Sequence, residues 1–88
     1  MEIEVTIKNK LGMHLRAAAS FIKLASNFDC EITVTKDNQT ANGKSIMGIM
    51  ALAAAPGTNL IIKAEGSDAK ECCDKLKELI DNKFGERE

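Results

Sequence analysis

The spacing of the apolar residues restricts this chain most, because it switches between the period of a strand and that of a helix. Ile3, Val5 and Ile7 alternate with Glu2, Glu4, Thr6 and Lys8, the pattern of a half-buried strand. Asn9 to Met13 reads as a loop turning on Gly12. From about Leu15 to Asn27, Ala18, Phe21, Ile22, Ala25 and then Phe28 fall at helical spacing. Ile32 and Val34 alternate with Glu31, Thr33 and Thr35 as a second strand. Asp37-Asn38 signals a tight turn, and Gln39 to Gly43 reads as a weak third strand. Ser45 then stands in the N-cap position before a short apolar helix that begins at Ile46. Pro56-Gly57 breaks the chain, and Leu60, Ile62 and Ala64 mark a fourth strand. The last helix is capped by Ser67 in this reading, buries Ala69, Cys72, Cys73, Leu76, Leu79 and Ile80, and ends at Gly85. The order is β-α-β-β-α-β-α. With one apolar face per strand, the expectation is an α+β fold, a four-stranded, mostly antiparallel sheet with three helices on one face.

At 88 residues the chain is expected to form one domain, 1–88, with a small core and no deep cavity of its own. Chemistry would then sit on the surface and be completed by a partner. Twelve Lys and Arg against thirteen Asp and Glu leave a net charge of −1, with no basic run. Without a cationic face, and with no Trp or Tyr, nucleic acid is a poor partner. The longest apolar stretch, Ile46 to Ala55, is interrupted by Gly48 and is far shorter than the ~20 residues of a membrane span. The first residues alternate and carry acids where a signal peptide carries bases, so the expected compartment is the cytoplasm. Cys30, Cys72 and Cys73 make no even-numbered disulfide framework. Cys72 and Cys73 are read as core and Cys30 as a strand-edge residue. With one histidine and no C-x-x-C, no metal site is expected.

His14 lies between Gly12 and the first helix, with Arg16 two residues on. Imidazole accepts and releases groups near neutral pH. A helix start offers free N–H donors, and arginine a fork suited to phosphate oxygens. Together these make a workable phosphoryl-acceptor site; the plainer reading is a capping-region histidine beside a surface arginine. Ser45 follows Gly43-Lys44, the end of a P-loop pattern, but position 38, where the first glycine belongs, is Asn38. That leaves Ser45 as an N-cap or a phosphorylation site held by the helix dipole near Lys44. Ile46, Met47, Ile49, Met50 and Leu52 are too many for one face of a two-turn helix. Ile49 and Leu52 are assigned to the core and the excess to a docking patch. No cofactor is expected.

The run Gly12-Met13-His14-Leu15-Arg16, followed further along by Lys44-Ser45-Ile46-Met47-Gly48-Ile49-Met50, resembles the HPr family, the histidine-containing phosphocarriers of the bacterial phosphoenolpyruvate-dependent sugar phosphotransferase system. The resemblance covers essentially the whole chain and implies an open-faced β-sandwich. It implies a stoichiometric carrier rather than an enzyme, monomeric, with His14 taking a phosphoryl group on Nδ1 from enzyme I and passing it to an enzyme IIA domain. Arg16 would pair with the phosphate. Ser45 matches a regulatory serine phosphorylated, in bacteria that have it, by HPr kinase/phosphorylase, with a catabolite-control regulator as a further partner. Leu15, Ile46, Met47 and Met50 match the partner-binding surface. The family pattern usually runs His-x-Arg-Pro, and Ala17 stands here for the proline. Alanine keeps the helix and restores an N–H, which predicts a slightly less rigid loop. It leaves open the sugar-system carrier or a paralogue with other partners.

Overall fold

Strands β1 (Glu2–Thr6), β2 (Glu31–Lys36), β3 (Gln39–Asn42) and β4 (Asn59–Glu65) form one sheet in the order β1-β4-β2-β3, with every neighbouring pair antiparallel. The computed structural model describes all residues 1–88. The register aligns the apolar faces: Ile3 pairs with Ile62, Ile62 with Val34, and Val34 with Ala41. This row faces the helices, and Glu4, Ile61 and Thr40 on the other side face solvent. A slip of one residue would exchange the two faces, so burial of one side holds the register. The sheet is left open on its second face, as expected.

Helix α1 (Leu15–Ala25) buries Ala17, Ala18, Phe21 and Ala25, and α3 (Ala69–Asp81) buries Ala69, Cys72, Cys73, Leu76 and Ile80. The short α2 (Ile46–Ala51) packs against α1 and β3, with Ile49 and then Leu52 pointing into the same core. Three expected boundaries need correction. Helix α1 stops at Ala25, where Ser26 donates its N–H to the Ile22 carbonyl. Phe28 reaches the core from the following turn. Asp68, not Ser67, is the N-cap of α3. Its carboxylate leaves its own helix uncapped and accepts the backbone N–H groups of Asp29 at 2.8 Å and Cys30 at 3.0 Å. The Asp29 hydrogen bond, joined by those from Cys30, holds the Asp68 carboxyl below the usual carboxylate range. Finally, α3 ends at Asp81 rather than Gly85. Lys83–Gly85 form a 3-10 turn in which Lys83 and Phe84 adopt φ of 57° and 56°, and this turns the last residues back across the molecule.

All three cysteines are free and buried. Cys30, expected at a strand edge, sits just before β2 and contributes its side chain to the core, where its thiol lies near that of Cys72. Burial, and then the neighbouring Cys30 thiol, push the Cys72 thiol up to about 12. No helix is long and apolar enough to cross a membrane.

Candidate functional site

Asn9 to Met13 connect β1 to α1 by a tight loop, closed by the Gly12 N–H donating to the Asn9 carbonyl at 3.1 Å. Gly12 has φ +68°, and a Cβ there would lie 2.7 Å from the Ala54 carbonyl oxygen. Only glycine allows both the left-handed turn and that approach. Met13 is buried and donates its N–H to the same Ala54 oxygen at 2.9 Å. The segment after α2 therefore clamps the loop, and His14 emerges from the clamp.

His14 is the N-cap of α1, with extended backbone, and its Nδ1 accepts the Arg16 N–H at 3.2 Å. On the other side of the ring, Nε2 lies 2.5 Å from Glu86 Oε2. An ionised carboxylate only accepts hydrogen bonds, so Nε2 carries the proton, and in the neutral ring the lone pair is on Nδ1. That lone pair points at the N–H groups of a helix start. Burial pushes the Glu86 carboxyl up, but hydrogen bonds from Asn9 and His14, with the charges of His14 and Arg16, outweigh it and leave the carboxyl below its ordinary range. The His14 side chain is 24% exposed and that of Glu86 17%. The ring is thus reachable yet held.

Arg16 is exposed and enters no ion pair. It lines an open cleft of about 290 Å³ with Lys10, Leu11, Glu86, Arg87 and Glu88. An exposed, unpaired guanidinium two residues from the imidazole is suited to a phosphoryl group, whose oxygens need cationic or N–H partners. No group of His, Cys, Asp and Glu side chains is arranged to hold a metal ion.

Ser45 caps α2 as expected, its Oγ accepting the Gly48 N–H at 3.1 Å. The Lys44 ammonium, expected near Ser45, instead donates to the Phe28 carbonyl at 2.5 Å. Met47 is 82% exposed, Leu15 62% and Met50 39%, whereas Ile46 is half-buried and packs partly on the core. The exposed apolar surface is therefore carried by Met47, Leu15 and Met50, together with Leu11, which is 63% exposed and was not anticipated from the sequence. Also unanticipated are Asn9 and Glu86. Asn9 is wholly buried, and its Nδ2 donates to the Gly12 carbonyl at 2.7 Å and to Glu86 Oε1 at 3.0 Å. Nothing in the spacing marks Glu86, because its partners lie at the opposite end of the chain.

Residues 1–82 match the family model PTS-HPr, described as the PTS HPr component phosphorylation site. The phosphocarrier protein HPr of Pseudomonas aeruginosa is 46% identical over 87 residues, covering 98% of this chain and 97% of that protein. The crystal structure of HPr-C-His from Thermoanaerobacter tengcongensis superposes with a TM-score of 0.96 at 46% identity, covering 100% of this chain and 99% of the other. An HPr dimer from the same organism gives a TM-score of 0.80 at 48% identity, covering 98% of this chain and 99% of that one. The chain belongs to the HPr family, the phosphocarriers of the phosphotransferase system.

Proposed function

We propose that the whole chain, 1–88, acts as a single monomeric domain in the cytoplasm, carrying phosphoryl groups on His14 from enzyme I to enzyme IIA domains in sugar uptake. The observation that supports this most is the His14 ring itself. Its Nδ1 lone pair is directed at the α1 N-terminus, where it accepts the Arg16 N–H, and the Arg16 side chain enters no ion pair. The Nδ1 lone pair attacks phosphorus, and the donor's bond to phosphorus breaks with its electron pair remaining on the donor atom. The Arg16 N–H, released from Nδ1, is then free to donate to a phosphoryl oxygen, and its guanidinium balances the added charge. Transfer onward reverses these steps on the acceptor. The Arg16 N–H already lies beside Nδ1 before phosphate arrives, so only a short shift of this donor accompanies the step.

Met47, Met50, Leu15 and the outer side of Ile46 form the docking surface in this reading. Apolar area next to the acceptor loop lets a partner exclude water around the transferring group. Ser45 is a regulatory phosphorylation site where the host has the HPr kinase/phosphorylase, with a catabolite-control regulator as the partner of that form. Phosphate on Ser45 would add about −1.5 to −2 charges beside Met47, opposing an acidic partner surface without melting α2.

The experiment is incubation with enzyme I and phosphoenolpyruvate, followed by intact mass before and after acid. The expected result is one acid-labile, base-stable phosphoryl group, absent in His14→Ala. Arg16→Ala should slow uptake about 10²-fold, the scale for losing one charge-stabilising donor, and Arg16→Lys should restore it in part. Uptake by His14→Ala equal to that of the unaltered protein overturns the proposal. Light scattering of the purified chain tests the monomer.

A further inference from the structure

Asn9 is wholly buried in the loop under His14, yet its Oδ1 has no hydrogen-bond partner. A buried amide with an unpaired oxygen is costly to folding, so an apolar residue would serve packing better. What asparagine adds is its Nδ2, which holds the Gly12 carbonyl at 2.7 Å and Glu86 Oε1 at 3.0 Å. The amide cannot turn over, since its oxygen would then face the Gly12 carbonyl and the Glu86 carboxylate.

Glu86 is seated from its other neighbours as well. Its N–H donates to the Lys83 carbonyl, closing the 3-10 turn that reverses the chain after α3. Two residues on, the Glu88 carbonyl accepts the Lys10 N–H at 2.5 Å, and the Lys10 ammonium lies 3.4 Å from the Glu88 carboxylate. The last residues thus lie along the His14 loop with the Glu86 carboxylate between two donors, one from Asn9 and one from the imidazole.

We propose that Glu86, seated by Asn9, is a positioning residue for the phosphoryl acceptor: it holds the Nε2–H of His14 so that Nδ1 presents its lone pair, and it offsets the positive charge the ring gains when Nδ1 bonds phosphorus. This rests on the reading of His14 as the acceptor. A neutral imidazole that attacks through Nδ1 while keeping its Nε2 proton becomes a cationic ring, and a carboxylate hydrogen-bonded to that proton stabilises it. The same division of labour holds where a buried aspartate orients a catalytic histidine and stabilises its imidazolium. Glu86 touches the nitrogen remote from Nδ1, so it leaves the approach of the phosphoryl group open. It remains ionised at neutral pH, since its carboxyl sits below the ordinary range despite burial.

The test uses the full chain and three variants, Glu86→Ala, Asn9→Ala and the double variant, each with its melting temperature measured. The first readout is the proton NMR signal of the His14 Nε2–H. It should be visible and far downfield in the unaltered protein, and lost to solvent exchange in Glu86→Ala. The second is the single-turnover rate of phosphoryl uptake from phosphorylated enzyme I. Removing a carboxylate that orients a histidine should slow it roughly ten- to a hundredfold. Because the seating of Glu86 by Asn9 is already lost in Glu86→Ala, the double variant should lose less than the product of the two single losses. Independent, multiplying losses would overturn the seating role of Asn9. A folded Glu86→Ala protein with unchanged uptake and an unchanged ring N–H signal would overturn the role of Glu86 while leaving His14 as acceptor. Failure of the unaltered protein to take up phosphoryl groups on His14 would instead overturn the carrier reading, and this proposal with it.

Discussion

Replacing Gly12 by alanine probes the clamp that holds the acceptor loop. Gly12 has φ +68°, and an added Cβ would meet the Ala54 oxygen at 2.7 Å, the Ala55 Cα at 3.2 Å and the Pro56 Cδ at 3.3 Å. None of these is the end of a flexible side chain. The left-handed conformation costs an L-residue about 1–2 kcal/mol. Relieving the contact moves Ala54 away from Met13, whose N–H it accepts at 2.9 Å, and a lost hydrogen bond of this kind is worth about 1 kcal/mol. The expected destabilisation is therefore about 2–3 kcal/mol, or a fall in Tm on the order of 10–20 °C for a domain of this length. Gly57 supplies the control: its φ is +86°, but a Cβ there meets nothing within 4 Å. Gly57→Ala should show only the conformational part, about 1–2 kcal/mol. Thermal unfolding followed by circular dichroism measures both. The Gly12 variant should also lose phosphoryl uptake at temperatures where it is fully folded, because the displaced loop carries His14. Equal Tm values for the two variants would refute the close approach, and an unimpaired uptake rate would refute the clamp.

Met47→Asp should weaken binding to enzyme I while leaving the circular dichroism spectrum unchanged, since the side chain is 82% exposed and contributes little to the core. Unchanged affinity in a titration would remove Met47 from the docking surface. Ser45→Ala removes the oxygen that accepts the Gly48 N–H and should cost about 1 kcal/mol in denaturant unfolding; no loss would show that this cap is idle. The cysteines should react with a thiol reagent at pH 8 far more slowly in the native protein than in denaturant, because all are buried and the Cys72 thiol is held at about 12. Rapid modification of the folded protein would contradict the buried Cys30–Cys72 contact.

Elements whose form depends on neighbours along the chain were legible before folding was considered. The alternation at Ile3, Val5 and Ile7 and at Leu60, Ile62 and Ala64 marked strands because each buries one face only. Ser45 marked the start of α2 because capping is a contact between a side chain and a backbone N–H one turn away. His14 and Arg16 were legible for the same reason: both belong to the first turn of one helix. Where local patterns failed, a distant group had competed. Asp68 displaced Ser67 as the cap position of α3, and its carboxylate serves Asp29 and Cys30 rather than its own helix. Lys44 was drawn from Ser45 to the Phe28 carbonyl.

The sequence by itself determined the kinds and order of the elements, the apolar face of each, and the imidazole, guanidinium and hydroxyl at two helix starts. These follow from periodicity and capping, which act over a few residues. Only the tertiary structure decided the strand order β1-β4-β2-β3, the meeting of Cys30 with Cys72, and the closure of Glu86 and Asn9 onto His14. Asn9 looks like a loop residue until the returning chain buries it. Glu86 looks like a solvated carboxylate until the 3-10 turn after α3 carries it back. The tautomer of the one histidine is set by a partner 72 residues away, a distance over which no local spacing carries information and which only packing of the core closes.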